Sequence, residues 1–317
     1  MSKLQIWFFD VGHGDCAYLR LPNGARMMID CGGGDNHWPS LLLKHSRITA
    51  ADSPIPIPGR AYGIDNLVIT HLHGDHISDI KAIHEQIGFF ILTGGYSSFI
   101  DRVKTETIDW KERGRAPVDK FREIVKSYVD TISPSENRVE LAKPTCIVEK
   151  MRFLNFEDGI DMNELSWFVS FQIGNQKVLF TGDMTGAGVR KILQSKNAEA
   201  FKRFVKGTTI LKIPHHARLN GCSQEMFDCF GAKPLVGVAS DEELNDRNEE
   251  TCSVSWYSQK ISDNKILIDG EMQNRKVLTT RSDGDIYLEI TEQGSIAIQT
   301  HCLQKIRDKL LNSTATV

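Results

Sequence analysis

Four side chains able to bind a divalent metal fall within six consecutive positions, His71-Leu72-His73-Gly74-Asp75-His76. Neutral imidazole nitrogens and carboxylate oxygens suit zinc and other borderline divalent cations. An apolar run, Leu67-Val68-Ile69, leads through Thr70 into this stretch, as a buried strand ending in a loop would. In extended chain alternate side chains share a side, so His71 and His73 converge on one point. Gly74 permits a sharp turn that swings Asp75 and His76 toward a second point close by. The spacing predicts half of a dinuclear metal site, with a helix beginning near Ile77-Ser78-Asp79-Ile80.

Two further places carry metal-binding side chains at strand ends. Ser166–Ile173 alternates, Gly174-Asn175 is a turn, and Lys177–Thr181 pairs back as a hairpin that delivers Gly182-Asp183. Gly182 lets the Asp183 carboxylate leave the sheet edge. An apolar strand over Thr209–Ile213 ends in Pro214-His215-His216-Ala217-Arg218. Consecutive histidines point to opposite sides of extended chain, so one ligates and its neighbour lines the site or contacts substrate. Residue types do not say which.

The histidine stretch resembles the HxHxDH signature of the metallo-β-lactamase-fold hydrolases. Asp10-Val11-Gly12-His13-Gly14-Asp15 resembles the DVGQGD motif of the ComEC-type metallo-β-lactamase-like domain, with His13 in place of the usual Gln. Ile29-Asp30-Cys31-Gly32, Asp161 to Ser166, Thr181-Gly182-Asp183 and Pro214-His215-His216 are similar to that group's IDxG, NxxS, TGD and PHHGS elements. Ala217-Arg218 stands where the last has Gly-Ser, and Val277 to Ile286 resembles a closing hairpin completed by Ile296–Thr300.

The resemblance implies an α/β fold, a four-layer αββα sandwich formed as one domain over residues 1–317. A mostly helical insertion is expected at about 97–132, and a short terminal helix at about 303–312. It implies two divalent ions, Zn2+ first and Mn2+ second, held by His71, His73, Asp75, His76, Asp183, His215 and His216. Asp183 would bridge the two, and Asp75, His215 and His216 would be the catalytic groups. Asp30, His13 and Asn163 would surround them: Asp30 as the acceptor that a ligating imidazole needs on its other nitrogen, His13 as a neutral hydrogen-bonding group. The ligating His that many related families carry between His76 and Asp183 is missing, since His84 reads as an ordinary helix residue. One cation would then have only His71, His73 and Asp183, with positions open to water and substrate.

The elements that must position these groups alternate between the two periods. Leu4–Phe9, Cys16–Leu21 and Arg26–Ile29 form a meander through the turn Pro22-Asn23-Gly24, ending at Gly32-Gly33-Gly34, a backbone free to pass close to something. Trp38–Lys44 reads as helix, Ala50–Asp65 as loop and Phe89–Leu92 as strand. Val118, Phe121, Val125 and Tyr128 recur at helical spacing, with Lys120, Arg122 and Lys126 facing outward. Val189–Leu193 and Glu199–Val205 read as short helices, Pro234–Ala239 as strand, and Gln304–Leu311 as a helix with a basic face.

The chain has 317 residues, 40% hydrophobic and 25% charged, as a globular protein with a sizeable core has. A net charge of −3 and a pI near 6.4 give no global sign of nucleic-acid or membrane binding. Seven cysteines without a CxxC pair fit reduced thiols, and the start lacks a signal peptide's apolar core. No apolar run approaches the ~18 residues of a membrane span. A cytoplasmic protein is expected.

Two cations sharing a carboxylate lower the pKa of a bridging water to give hydroxide near neutral pH. That chemistry hydrolyses phosphodiesters, lactams, thioesters and lactones alike. The ComEC-type resemblance points to a phosphodiesterase or nuclease, with nucleic acid as partner. Arg190, Lys191, Lys196, Lys202, Arg203, Lys206 and Lys212, set against Glu199, are either a phosphate-binding cluster or a solvated face. The alternatives are a hydrolase of an uncharged ester, thioester or amide, and a non-catalytic module of a larger assembly.

Overall fold

Strand β1 (Lys3–Phe8) has no solvent face for its apolar residues, because both of its sides are buried. Leu4, Ile6 and Phe8 point into one core while Trp7 and the following Phe9 point into another. β2 (Ala17–Arg20) and β3 (Arg26–Ile29) do the same: Leu19 and Met27 join the first core, Tyr18 and Met28 the second. Such strands need a layer on each face. The structure, a computed structural model, describes residues 2–33, 38–46, 48, 63–94, 112–127, 146–155, 161–245 and 248–314.

Two sheets meet across the first core. One has nine strands in the order β12-β11-β15-β14-β1-β2-β3-β4-β5, adding β4 (Ile64–Val68), β5 (Phe89–Thr93), β11 (Ile266–Ile268), β12 (Glu271–Gln273), β14 (Ile286–Thr291) and β15 (Ile296–Gln299). The other has six in the order β13-β10-β9-β8-β7-β6, from β6 (Ile147–Met151), β7 (Phe168–Ile173), β8 (Gln176–Phe180), β9 (Ile210–Lys212), β10 (Val236–Ala239) and β13 (Val277–Thr279). Val169, Phe171, Val178 and Phe180 face the meander, and the Phe8 and Phe180 rings stack at 5.8 Å. The outer faces are covered by helices. Pro39–Ser46 and Glu112–Ser127 pack on the nine-stranded sheet through Leu42, Leu43, Val118 and Phe121. Gly186–Gln194, Ala198–Val205, Gln224–Phe230 and Val254–Lys260 cover the six-stranded sheet through Ile192, Phe201, Met226 and Tyr257. The order of layers is therefore αββα. Each fully buried Leu, Ile or Phe contributes roughly 1.5–3 kcal/mol, so the two sheet faces are the main stabilising surface.

The parallel ladders position the site. β4 runs parallel to β3 and β5, while β8, β9, β10 and β13 are parallel neighbours. Loops leaving the carboxyl ends of β4, β8 and β9 carry residues 69–76, 181–185 and 213–218. The Trp167 amide donates to the Thr70 carbonyl at 3.0 Å, tying the two sheets together at that edge.

Several elements differ from the sequence reading. The helix after the histidines starts at Gly74, not Ile77, and gives way to a wider turn at Ile83–Ile87. Val277 to Ile286 is not a hairpin: β13 lies beside β10 in one sheet, Thr280–Asp283 forms a helical turn, and β14 pairs with β1 in the other. Thr279 caps that turn by accepting from the Ser282 amide, and Gly284 leaves it at φ 58°, where glycine is favoured. The closing hairpin is β14–β15. Helix Gln224–Phe230, absent from the sequence reading, carries its own signals, a Ser223 cap and Gly231 at φ 82°. The expected 97–132 insertion is described only as helix Glu112–Ser127, with Tyr128, the loop around Pro54 to Pro58 and Gly34 outside the described residues. The terminal helix is Gln304–Thr314. Among the described residues no helix is long and apolar enough to cross a membrane.

Asp79 ties the helix Pro39–Ser46 to the histidine loop by accepting from the Ser40 amide at 2.7 Å. Burial pushes its carboxyl up from 3.8 to about 6. A folded-state pKa above the unfolded value means stability that is full below about pH 4 and lost as pH rises through 6. Asp79→Asn keeps an acceptor without the charge, so it is expected to melt higher than wild type at pH 7–8, by up to about 3 kcal/mol. Thermal melts between pH 4 and 8 check this, the gap closing at the acid end.

Candidate metal centre

The histidine loop is fastened before it reaches its ligands. Asp30, at φ 56°, accepts from the Thr70 amide and the Thr70 hydroxyl, each at 2.7 Å, and lies 2.8 Å from His76 Nδ1. Asp30 thereby holds the His76 imidazole with Nε2 turned inward. The Asp15 amide donates to the Asp75 carbonyl at 3.1 Å and the Cys31 amide to that of His76 at 2.8 Å. Gly32 lies under this crossing, where a Cβ would overlap the Asp75 carbonyl. What passes close to the glycine run is the metal-loop backbone itself.

Asp183 arrives from the second sheet. Its amide donates to Ser166 Oγ at 3.1 Å. Gly182 has φ 53°, and a Cβ there would lie 2.7 Å from Ser166 Oγ and 2.9 Å from Thr70 Cβ, so only glycine lets the carboxylate come this near the histidines. His215, His216 and Ala217 follow at φ 50°, 51° and 56°, three consecutive left-handed residues. Such conformations cost about 1–3 kcal/mol each and persist only where surroundings enforce them. The strand is thus not extended at the histidine pair, and the expectation of opposite-facing rings fails. His216 Nε2 is 3.4 Å and His215 Nε2 3.8 Å from the same Asp183 Oδ2.

One compact ligand group results. One ligand atom from each of Asp75, His76, Asp183 and His216 lies within 4.8 Å of all the others. His216 Nε2 is 3.2 Å from Asp75 Oδ2, and His76 Nε2 is 3.4 Å from Asp183 Oδ2 and 3.9 Å from Asp75 Oδ2. The Ser240 carbonyl, 3.2 Å from His216 Nδ1, orients that ring as Asp30 orients His76. His71 and His73 stand beside this group, with His71 Nε2 and His73 Nδ1 3.1 Å apart and the His71 and His76 rings 4.1 Å apart. Thr70 Oγ1 and Ser166 Oγ lie 3.2 and 3.5 Å from His71 Nδ1.

Three buried atoms, His76 Nε2, His216 Nε2 and Asp183 Oδ1, have no hydrogen-bond partner among the described residues, and His215 Nδ1 is a fourth. Buried polar atoms in native proteins are paired, so converging lone pairs without donors fit cations. Burial would raise the Asp75 and Asp183 carboxyls, but the His76 and His216 imidazoles beside them hold both well below the usual range. Burial would lower His216, and Asp183 and Asp75 instead raise it to about 10. Burial lowers His71, His73 and His215, favouring the neutral imidazole that ligation requires.

The remaining predicted residues lie around this group. His13 is half-exposed, its Nε2 3.5 Å from Asp75 Oδ2. Asn163 sits in the turn Met162–Leu165, its Oδ1 buried and without a hydrogen bond among the described residues. His84 packs against Phe89, ring centroids 5.6 Å apart. Ser240, Asp15 and Lys212 escaped the sequence reading as site supports. Lys212 Nζ donates to Asp15 Oδ2 at 2.6 Å and Ser240 Oγ to Asp15 Oδ1 at 2.9 Å. Asp15 was visible as the last residue of the Asp10–Asp15 motif, whereas Ser240 acts on His216 through its backbone, which no residue type reports. Lys212 is a buried ion-pair partner and not part of a phosphate-binding surface.

Residues 9–138 match the family model of the metallo-beta-lactamase superfamily, which takes in the histidine loop but stops before Asp183. No curated protein sequence matches the chain. Among solved structures, the metallo-beta-lactamase fold protein YhfI from Bacillus subtilis is 10% identical, covering 88% of this chain and 97% of that one, with a TM-score of 0.41. CmlA, a diiron beta-hydroxylase from Streptomyces venezuelae, is 13% identical, covering 80% of this chain and 50% of that one, at 0.42. An archaeal metallo-beta-lactamase superfamily protein from Sulfolobus tokodaii is 13% identical, covering 78% and 93%, at 0.37. The αββα sandwich is of the metallo-β-lactamase type.

Asp30 fixes an imidazole without reaching the ligand cluster itself, so Asp30→Asn is expected to weaken zinc binding by about 10–100-fold. Competition against a chromophoric chelator measures this. An unchanged affinity would remove Asp30 from the site's support.

Proposed function

We propose that this chain is a metal-dependent hydrolase and that phosphodiesters, nucleic acid first among them, are its substrates. The observation that carries the hydrolase reading is the clustering of Asp75, His76, Asp183 and His216 within 4.8 Å around lone pairs that have no donor. Zn2+ or Mn2+ ions bound there would lower the pKa of water and neutralise charge developing on the substrate.

The chain's own groups do the rest. Asp183 Oδ2 lies 3.4 Å from His76 Nε2 and from His216 Nε2 and 3.8 Å from His215 Nε2, so its carboxylate would help hold a cation among them. Asp30 and the Ser240 carbonyl keep the inward nitrogens of His76 and His216 free of protons when a cation is bound. Asp75 is the more open of the two carboxylates, 21% exposed against 2% for Asp183, so it marks the side of the cluster that water and substrate reach. His215, 18% exposed against 2% for His216, lines the side from which substrate enters. The phosphodiester reading rests on the resemblance of Asp10–Asp15 and Pro214–His216 to ComEC-type motifs.

A second reading, hydrolysis of an uncharged ester, thioester or amide, has an observation of its own. The cations between Asp183 and His215 are largely spoken for: Lys191 pairs with Glu164 at 2.6 Å, Lys202 with Glu199 at 2.8 Å, Arg190 with Glu225 at 3.5 Å, and Lys212 with Asp15 at 2.6 Å. Glu242 also adds a carboxylate near the rim, 3.3 Å from His13.

Purified protein supplied with Zn2+ or Mn2+ is expected to cleave bis(p-nitrophenyl) phosphate and DNA or RNA, and to lose activity to a chelator. Asp183→Ala and Asp75→Ala should each lower kcat/KM by about 10²-fold or more. Nucleic-acid cleavage should fall steeply with added salt. Salt-insensitive turnover of a thioester, with nucleic acids left intact, would decide for the second reading.

A further inference from the structure

We propose that His13 is a further protein ligand of the cation site formed by Asp75, His76, Asp183 and His216, held in its ligating orientation by Glu242. The proposal rests on the hydrolase reading, because it concerns the same cation.

His13 rides on a loop pressed against the ligands. Gly12 is at φ 65°, and a Cβ on Gly14 would lie 2.9 Å from the Asp75 carbonyl oxygen, so the loop sits directly on the Asp75 backbone. The His13 ring centroid is 5.1 Å from that of His216. Its Nε2 is 3.5 Å from Asp75 Oδ2, and its Nδ1 is 3.3 Å from Glu242 Oε1. With the Glu242 carboxylate beside Nδ1, Nε2 lies on the Asp75 side of the ring. The two buried imidazoles here are oriented the same way, His76 by Asp30 and His216 by the Ser240 carbonyl. An acceptor on one ring nitrogen and a cation on the other is the arrangement that fixes tautomer and direction.

Glu242 is not a loose surface carboxylate. Its Oε1 also accepts from Arg218 Nη2 at 3.2 Å and Asn248 Nδ2 at 2.9 Å. Arg218 is tied in turn to Asp241 at 3.4 Å and to the Asn248 carbonyl at 3.4 Å. A half-exposed imidazole whose orienting carboxylate is fixed by two other side chains is built for a direction.

The test is cobalt titration of chelator-treated wild type, His13→Gln and Glu242→Gln, reading affinity by chelator competition and ligation by the visible d–d spectrum. Wild type is expected to take two Co2+ ions. His13→Gln should bind one of them at least about tenfold more weakly with an altered spectrum, and Glu242→Gln should move both in the same direction by less. The melting temperature of metal-free His13→Gln should match wild type, since His13 is half-exposed. Wild-type affinity and spectrum in His13→Gln overturn the proposal and leave the hydrolase reading standing. A weaker affinity with an unchanged spectrum also overturns ligation, leaving a hydrogen bond to Asp75. No uptake by wild type overturns both readings.

Discussion

The structure depends on keeping a dehydrated carboxylate, Asp183, face to face with imidazoles that offer it no fully satisfying hydrogen bond. Asp183 is 1% exposed, and its Oδ1 has no hydrogen-bond partner among the described residues. A buried ionised carboxylate costs several kcal/mol unless charge of opposite sign offsets it. The His76 and His216 imidazoles beside it offset part of that cost, and divalent cations would do so when bound. The ligand cluster is therefore unfavourable by itself and favourable with positive charge inside it, which is the physical content of a metal site.

That cost is borne by the two-sheet core. The sheets place three loops, from the carboxyl ends of β4, β8 and β9, at one edge, and glycine is required where those loops touch. Gly182 lets Asp183 approach Ser166 and Thr70, while Gly32 lets the Asp75 backbone cross. The left-handed run His215-His216-Ala217 stores strain at the same edge, and the Ser240 carbonyl and Asp183 hold it in place. Strain of this kind is found where geometry matters more than stability.

Charge is arranged with equal care outside the cluster. Arg218 and Arg281 meet buried Asp241 at 3.4 and 2.8 Å, and Arg218 also holds Glu242 at 3.2 Å, beside His13. Three of the seven lysines and arginines that make the 183–215 stretch look basic are paired with acids distant in sequence, Arg190 with Glu225, Lys191 with Glu164, and Lys212 with Asp15 lying 197 positions away. Local charge counts along a chain overstate a surface's positive potential for this reason.

The sequence by itself determined the strands of the meander, the hairpin before Asp183 and the seven ligand-type side chains. Periodicity, turn chemistry and residue type are local, and those features depend on little else. The helix Gln224–Phe230 was equally local, its Ser223 and Gly231 signals present but unread. Only the tertiary structure decided that both histidines of the pair face Asp183, because a left-handed turn enforced by packing overrode the extended geometry that spacing assumes. Only it decided that Val277 to Ile286 crosses between sheets, that Ser240 orients His216, and that Glu242 reaches His13. Those outcomes rest on which buried groups lack partners once two sheets have closed on each other, and residues remote along the chain supply the answer.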